Sequence, residues 1–157
     1  MSGNAEGTVD SDSITVAVFA LPEVQVAIDP YTIGLDAVNT TFNYNVRNAT
    51  PVGNQGVTKL RVTIPAGFTI QGVSSLILNA TEQATAVSVA GQVITVDYGS
   101  VGRNIPAGGG TDVVSFTLTD SWNAAGGPYM FTSQVDDAVA PSGWINTTVQ
   151  SGNTNGL

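Results

Sequence analysis

Carboxylates, amides and indoles are the side chains of this sequence with chemistry to offer. Asp10 and Asp12 sit at alternate positions in "DSDS", and Asp136 and Asp137 are adjacent in "QVDDA". Such clustered hard oxygens are the ligand type that calcium takes, although the spacing is not that of a calcium loop. The cofactor expectation is therefore none, or calcium at these four acids. Paired carboxylates about 5 to 9.5 Å apart can also hydrolyse glycosides, but neighbouring strand residues point to opposite faces. The chain has no Cys and no His, which removes thiol nucleophiles, disulfides, zinc sites and any His-dependent triad. These absences turn the reading away from an enzyme.

Three further groups invite a chemical reading. A buried lysine beside an acid can condense with an Asn or Asp side chain, and Lys59 is the one lysine present. In "KLRVTI", however, Leu60, Val62 and Ile64 share the inward phase, which leaves Lys59 on the solvent side. Four Asn-x-Thr triplets begin at Asn39, Asn48, Asn79 and Asn146 and are candidate glycosylation acceptors. Trp122 and Trp144 flank Gly-rich segments near the C-terminus. Exposed and coplanar they would make a glycan platform, whereas a sandwich Trp is more often core.

Composition bounds what such groups can serve. One domain is the expectation for 157 residues, a length that buries a sizeable core without staples. Hydrophobic residues make up 42% and charged residues only 10%, against about a quarter charged in ordinary soluble domains. The exterior is therefore rich in Thr, Ser, Asn and Gly, as suits a secreted, surface-exposed or assembled protein. Twelve acids against four bases give a net charge of −8, so phosphate backbones and anionic lipid are unsuitable partners. No apolar run reaches the ~18 residues of a membrane span. The opening "MSGNAEGTVDSD" lacks the features of a secretory leader; a leader already removed, a fragment and a virion route all fit that observation.

Period-two alternation organises the chain. "TTFNYNVR" sets Phe42, Tyr44 and Val46 against Asn43, Asn45 and Arg47, and "DVVSFTLTD" repeats the pattern with Val114, Phe116 and Leu118. Similar runs at 13–20, 24–28, 59–64, 68–78, 84–90, 93–98, 129–136 and 144–150 bring the expectation to about ten short strands, the pattern of a sandwich or barrel. Helix signals are nearly absent. Asn79 and Glu82 could cap one turn, but Val87 and Val89 restore alternation, so this stretch reads as strand or loop. The tetrapeptide Ile-Pro-Ala-Gly occurs at 64–67 and at 105–108. Each copy reads as a last inward residue followed by a sharp reversal, because Pro presets φ and removes a ladder donor. The flanking sequences do not align, so no duplication is implied.

These pieces together resemble a family. Tyr44-Asn45-Val46-Arg47-Asn48, the strand ending in Ile64-Pro65-Ala66-Gly67-Phe68, and Gly102 with Ile105-Pro106-Ala107-Gly108 leading into Val114-Ser115-Phe116-Thr117-Leu118-Thr119 are similar to the immunoglobulin-like conserved repeat domains of bacterial and archaeal cell-surface proteins. The likeness spans residues from about 40 to 120. It implies an extracellular, non-enzymatic building unit and adds no ligand.

The expectation is thus an all-β, immunoglobulin-like β-sandwich of about eight to ten antiparallel strands with no significant helix. Residues 1–12 form a polar arm, 13–150 the domain and 151–157 a polar tail. Within 13–28, Ile14, Val16, Val18, Val24, Val26 and Ile28 alternate with side chains that are themselves largely apolar, and this stretch is expected to add to a neighbour's sheet edge. The functional expectation is a self-associating subunit or repeat of a cell-surface filament, pilus-like or S-layer assembly, a homo-oligomer or polymer with surface glycans as further partners. A virion coat or decoration protein and a carbohydrate-binding module are the alternatives.

Overall fold

The computed structural model describes residues 20–32, 34, 38–119, 128–137 and 143–149. Its longest strands follow directly from alternation. In β2 (Thr40–Asn48) the side chains of Phe42, Tyr44, Val46 and Asn48 are buried and those between them exposed. In β7 (Thr111–Thr119) Asp112, Val114, Phe116 and Leu118 occupy the inward phase. Pairing Tyr44 with Val114 and Phe42 with Phe116 puts both inward sets on one face, since a one-residue slip would turn every apolar side chain to water.

Eight further strands complete two five-stranded sheets: β1 (Val24–Asp29), β3 (Lys59–Thr63), β4 (Thr69–Ser75), β5 (Val87–Ala90), β6 (Val93–Asp97), β8 (Thr132–Asp136), β9 (Ile145–Asn146) and β10 (Thr148–Val149). The first sheet runs β10-β1-β2-β7-β4 and the second β5-β6-β3-β8-β9. Their inner faces meet in one core, where Phe42 lies 5.8 Å from both Phe116 and Phe131, centroid to centroid. Such offset aromatic packing adds to the burial of apolar area. We call the end where β1 begins and β2 finishes the first pole, and the opposite end the second pole.

The sandwich expected from the sequence is present, with three corrections. The first is a helix, α1 (Ala80–Ala86). The Asn79 side chain accepts from the Thr81 and Glu82 N–H groups at 3.0 Å, and Glu82 Oε2 accepts from the Asn79 N–H at 2.9 Å. This reciprocal cap satisfies the orphan donors of the first turn, and the Ala- and Gln-containing segment resists helix formation little. Alternation resumes only at Val87. The second correction is that β10 pairs parallel to β1, in place of the antiparallel pairing expected throughout. Within the run expected at 144–150, the described residues form two short pieces, β9 in one sheet and β10 in the other, because the chain changes sheets at Thr147.

The third concerns the expected donor strand. Val24, Val26 and Ile28 lie in β1, pair with β2 of the same chain and are fully buried. They supply this domain's own core, so they cannot be lent to a neighbour without opening it. Ile14, Val16 and Val18 lie outside the described residues.

The first Ile-Pro-Ala-Gly segment follows β3 as expected, whereas the second ends no strand: Ile105 makes only an isolated bridge with Val57 after the 3₁₀ turn at 98–101. Ile64 and Ile105 are buried and each is followed by a turn, with Gly67 at φ 97°. The second turn folds back so tightly that a Cβ on Gly110 would meet the Pro106 carbonyl oxygen at 2.4 Å. Only Gly fits there.

Candidate functional surfaces

Of the polar groups at inward strand positions, Asn48, Ser75 and Asp112 sit near the first pole, where they tie loops and sheets together, and Ser133 lies towards the other end. Among the described residues Asp112 is the most enclosed carboxyl group. It accepts from Tyr98 Oη at 2.6 Å, from Ser75 Oγ at 2.7 Å and from the Ile77 N–H at 3.2 Å. Tyr98 opens a 3₁₀ turn (Tyr98–Val101) that continues β6 of the second sheet, whereas Asp112 and Ser75 belong to the first. The cluster is therefore an inter-sheet clasp. Burial first, and then the Asp112 charge, push the Tyr98 phenol well above its ordinary value. A second clasp joins Tyr44 Oη to Ser133 Oγ at 2.9 Å and Ser133 Oγ to Thr147 Oγ1 at 2.6 Å, holding the crossing between β9 and β10.

Asn48 also occupies an inward position. Its Nδ2 donates to the Ile105 carbonyl at 2.9 Å, its Oδ1 accepts from the Thr50 N–H at 3.2 Å, and it has no exposed surface. That placement corrects its candidacy as a glycan acceptor, because a sugar on Nδ2 would require unpacking the first pole. The other three triplets lie at the surface. Asn39 is exposed with φ 55° at the start of β2. Asn79 uses Oδ1 for the α1 cap, and Asn146 uses Oδ1 to accept from Gln134 Nε2 at 2.8 Å. Both leave Nδ2 available for a sugar.

The outer face of the second sheet carries the remaining chemistry. Lys59 points outward, half exposed, with Nζ 3.6 Å from Asp97 Oδ2, and stands in register with Asp136. Its neighbour Leu60 is buried, so the lysine is on the wrong face for an internal cross-link. Asp136 and Asp137 are partly buried, and Asp10 and Asp12 lie outside the described residues. Among the described residues no group of three or more acids converges as a metal site would require. Trp144 is half-buried with the Arg61 guanidinium 4.2 Å over its ring centroid, a cation–π contact that covers one face of the indole. Arg61 also donates from Nε and Nη2 to Gln134 Oε1. Trp122 lies outside the described residues.

The outer face of the first sheet is almost uncharged. Thr41 and Thr117 hydroxyls meet at 2.8 Å, and Ser115 Oγ donates to Asn43 Oδ1 at 2.7 Å. A shallow trough of about 360 Å³ opens there between Gln25, Ala27, Asn45, Arg47, Thr111 and Val113. Among the described residues no helix is long and apolar enough to cross a membrane.

No family model matches the chain, and no curated protein does. Solved structures do. BcpA, the major pilin subunit of Bacillus cereus, is 18% identical with a TM-score of 0.51 over 82% of this chain and 40% of its own. The pilus backbone RrgB of Streptococcus pneumoniae is 13% identical, TM-score 0.45, over 74% of this chain and 52% of its own. The fimbrial adhesin FimA of Actinomyces is 17% identical, TM-score 0.44, over 79% of this chain and 47% of its own. The chain thus spans less than half the length of BcpA, with which it shares an immunoglobulin-like β-sandwich fold.

Proposed function

We propose that this chain is a non-enzymatic structural unit of an extracellular, cell-surface assembly, filamentous or layered, that associates with copies of itself. The observation that carries the reading is a sandwich fold shared with a pilin subunit, with an almost uncharged outer sheet face of Thr, Asn and Ser. The chain enters at the first pole, where the Ala20 N–H donates to Asn54 Oδ1 at 2.7 Å. Its last described strand, β10, runs parallel to β1 towards the second pole. The fold shared with a pilin agrees with a serial arrangement. Fold alone does not specify function. The sheet faces of Thr, Asn and Ser add a hydrated flank, on which Asn39, Asn79 and Asn146 are the proposed glycan acceptors.

In this reading residues 13–19, with Ile14, Val16 and Val18, remain the proposed donor segment, and the buried β1 is excluded from it. Sedimentation velocity of the full chain against a chain of residues 20–157 tests the reading. The full chain is expected to form concentration-dependent oligomers and the shortened chain to lose the part due to strand addition. A full chain that stays monomeric at millimolar concentration would overturn self-association.

A further inference from the structure

Exposed apolar side chains are not spread evenly over this molecule. Eight large ones are exposed among the described residues, and six of them lie at or near the ends of the sandwich. Leu21 and Val52 share the first pole. They are brought together there by the Ala20–Asn54 bond and by Glu23 N–H donating to Thr50 Oγ1 at 2.8 Å. Tyr31, Val38 and Met130 share the second pole. Tyr31 and Val38 bracket the β1–β2 connection, and Met130 adjoins Phe131, which packs on Phe42 near the start of β2. These five side chains are between 54% and 84% exposed. Leu76 also lies near the first pole, beside the Asp112 clasp, whereas Val89 and Val149 lie on the β5 and β10 edges.

Charge follows the same axis. Among the described residues, Lys59 is engaged by Asp97, Arg103 by Glu82, and Arg61 by Trp144 and Gln134. Arg47, near the first pole, has among the described residues the neutral Gln25 as its side-chain hydrogen-bond partner, at 3.1 Å. At the opposite end of the same β1–β2 ladder, exposed Asp29 faces Asn43 in register. Three of the four sheet edges discourage regular pairing, since β4 is bulged around Gly72 at φ 60° and β9 and β10 are two residues each, which leaves β5 as the regular edge for strand addition. Bulged and very short edge strands discourage strand addition.

We propose that copies of this chain stack end to end, with Leu21 and Val52 of one copy seated on Tyr31, Val38 and Met130 of the next and Arg47 facing Asp29 across the junction. The two surfaces differ, so the contact is heterologous and propagates in a line rather than closing on itself. The inference deepens the assembly reading above and rests on it. Patches of this size fall below the ~1,200 Å² of a stable interface, so the contact is weak alone and gains strength from tethering or repetition.

A chain without cysteine suits disulfide trapping. Val52→Cys chains are mixed with Val38→Cys chains, with Ser88→Cys on the β5 flank as control. The mixed dimer, bridged between position 52 of one copy and position 38 of the other, is expected to form at least about tenfold faster than either like pair or any pair with the flank control, through its raised effective concentration. Arg47→Glu should slow it, and adding Asp29→Lys should restore the rate. Equal rates for all pairs would overturn the end-to-end contact. If the full chain still assembled in sedimentation while all trapping rates were equal, the assembly reading would stand and this interface would fall. A preference for the mixed pair that persists in residues 20–157 would establish the contact as independent of strand addition.

Discussion

Replacing Asp112 by Ala removes the acceptor that joins the sheets at the first pole. Three donors lose their partner: Tyr98 Oη at 2.6 Å, Ser75 Oγ at 2.7 Å and the Ile77 N–H at 3.2 Å. Each buried donor left unpaired costs about 1–3 kcal/mol. Rotation of the hydroxyls and entry of water recover part of this, so the expected loss is about 3–5 kcal/mol, the range for breaking a buried polar pair. At a urea dependence of about 2 kcal/mol per molar, the unfolding midpoint falls by roughly 2 M. Tyr98→Phe deletes one donor and leaves the acid with two, for an expected cost of about 1.5–3 kcal/mol. The double variant should cost about 1–2 kcal/mol less than the sum, because Tyr98 is no longer stranded. Urea titrations of the four proteins measure all terms. Additivity within about 0.5 kcal/mol, or a loss below about 1 kcal/mol for Asp112→Ala, would refute the clasp.

Other expectations are checked with small sets of variants. Asn79→Ala should cost about 1 kcal/mol through loss of the α1 cap, read by urea unfolding. The Asn79 N–H first, and the Arg103 guanidinium second, hold the Glu82 carboxyl below its ordinary value of 4.5. Its support is therefore full above pH 4.5 and fades as pH falls through the lowered value; amide chemical shifts of residues 80–86 should follow that acid loss in the parent and not in Glu82→Gln. Tyr98 has the opposite sign. Its folded value is raised above 10.0, so the unfolded chain ionises first and stability falls as pH rises past 10.0, by up to about 1.4 kcal/mol per pH unit. Tyr98→Phe should flatten that alkaline limb of the stability curve. In a glycosylating host, peptide mass spectrometry should find sugar at Asn39, Asn79 or Asn146 and none at Asn48 of the folded protein. A sugar on folded Asn48 would contradict its packing.

Much of the fold is legible in the sequence because alternation is a direct record of burial. Phe42, Tyr44, Val46, Val114, Phe116 and Leu118 announce their face by position alone, and both Ile-Pro-Ala-Gly turns follow from the φ of Pro and the freedom of Gly. The same phase marks Asn48 and Asp112 as inward, a signal that could have revealed the two polar anchors, since each continues an apolar series by two residues. Their partners are not legible, because Tyr98, Ser75 and Ile105 reach them only through tertiary packing. Helix α1 reads as strand or loop because seven residues are too few to show a 3.6 period, leaving the local cap of Asn79 and Glu82 as the only signal. The sheet change at Thr147 has no counterpart in alternation, which continues across it. The polar distribution of exposed apolar side chains is likewise hidden, because Leu21, Val52, Val38 and Met130 are scattered in sequence and gathered only by the fold.

The most direct test of serial assembly is the axial repeat of the polymer in averaged electron micrographs of the purified full chain. With β2 of nine residues along the axis, about 30 Å of strand plus the polar loops sets an expected repeat of about 35–45 Å, with strands nearly parallel to the long axis. A layer or fibre in which strands run across the axis at a spacing of about 4.7–4.9 Å or in laterally paired sheets, or no assembly at all, would contradict the account.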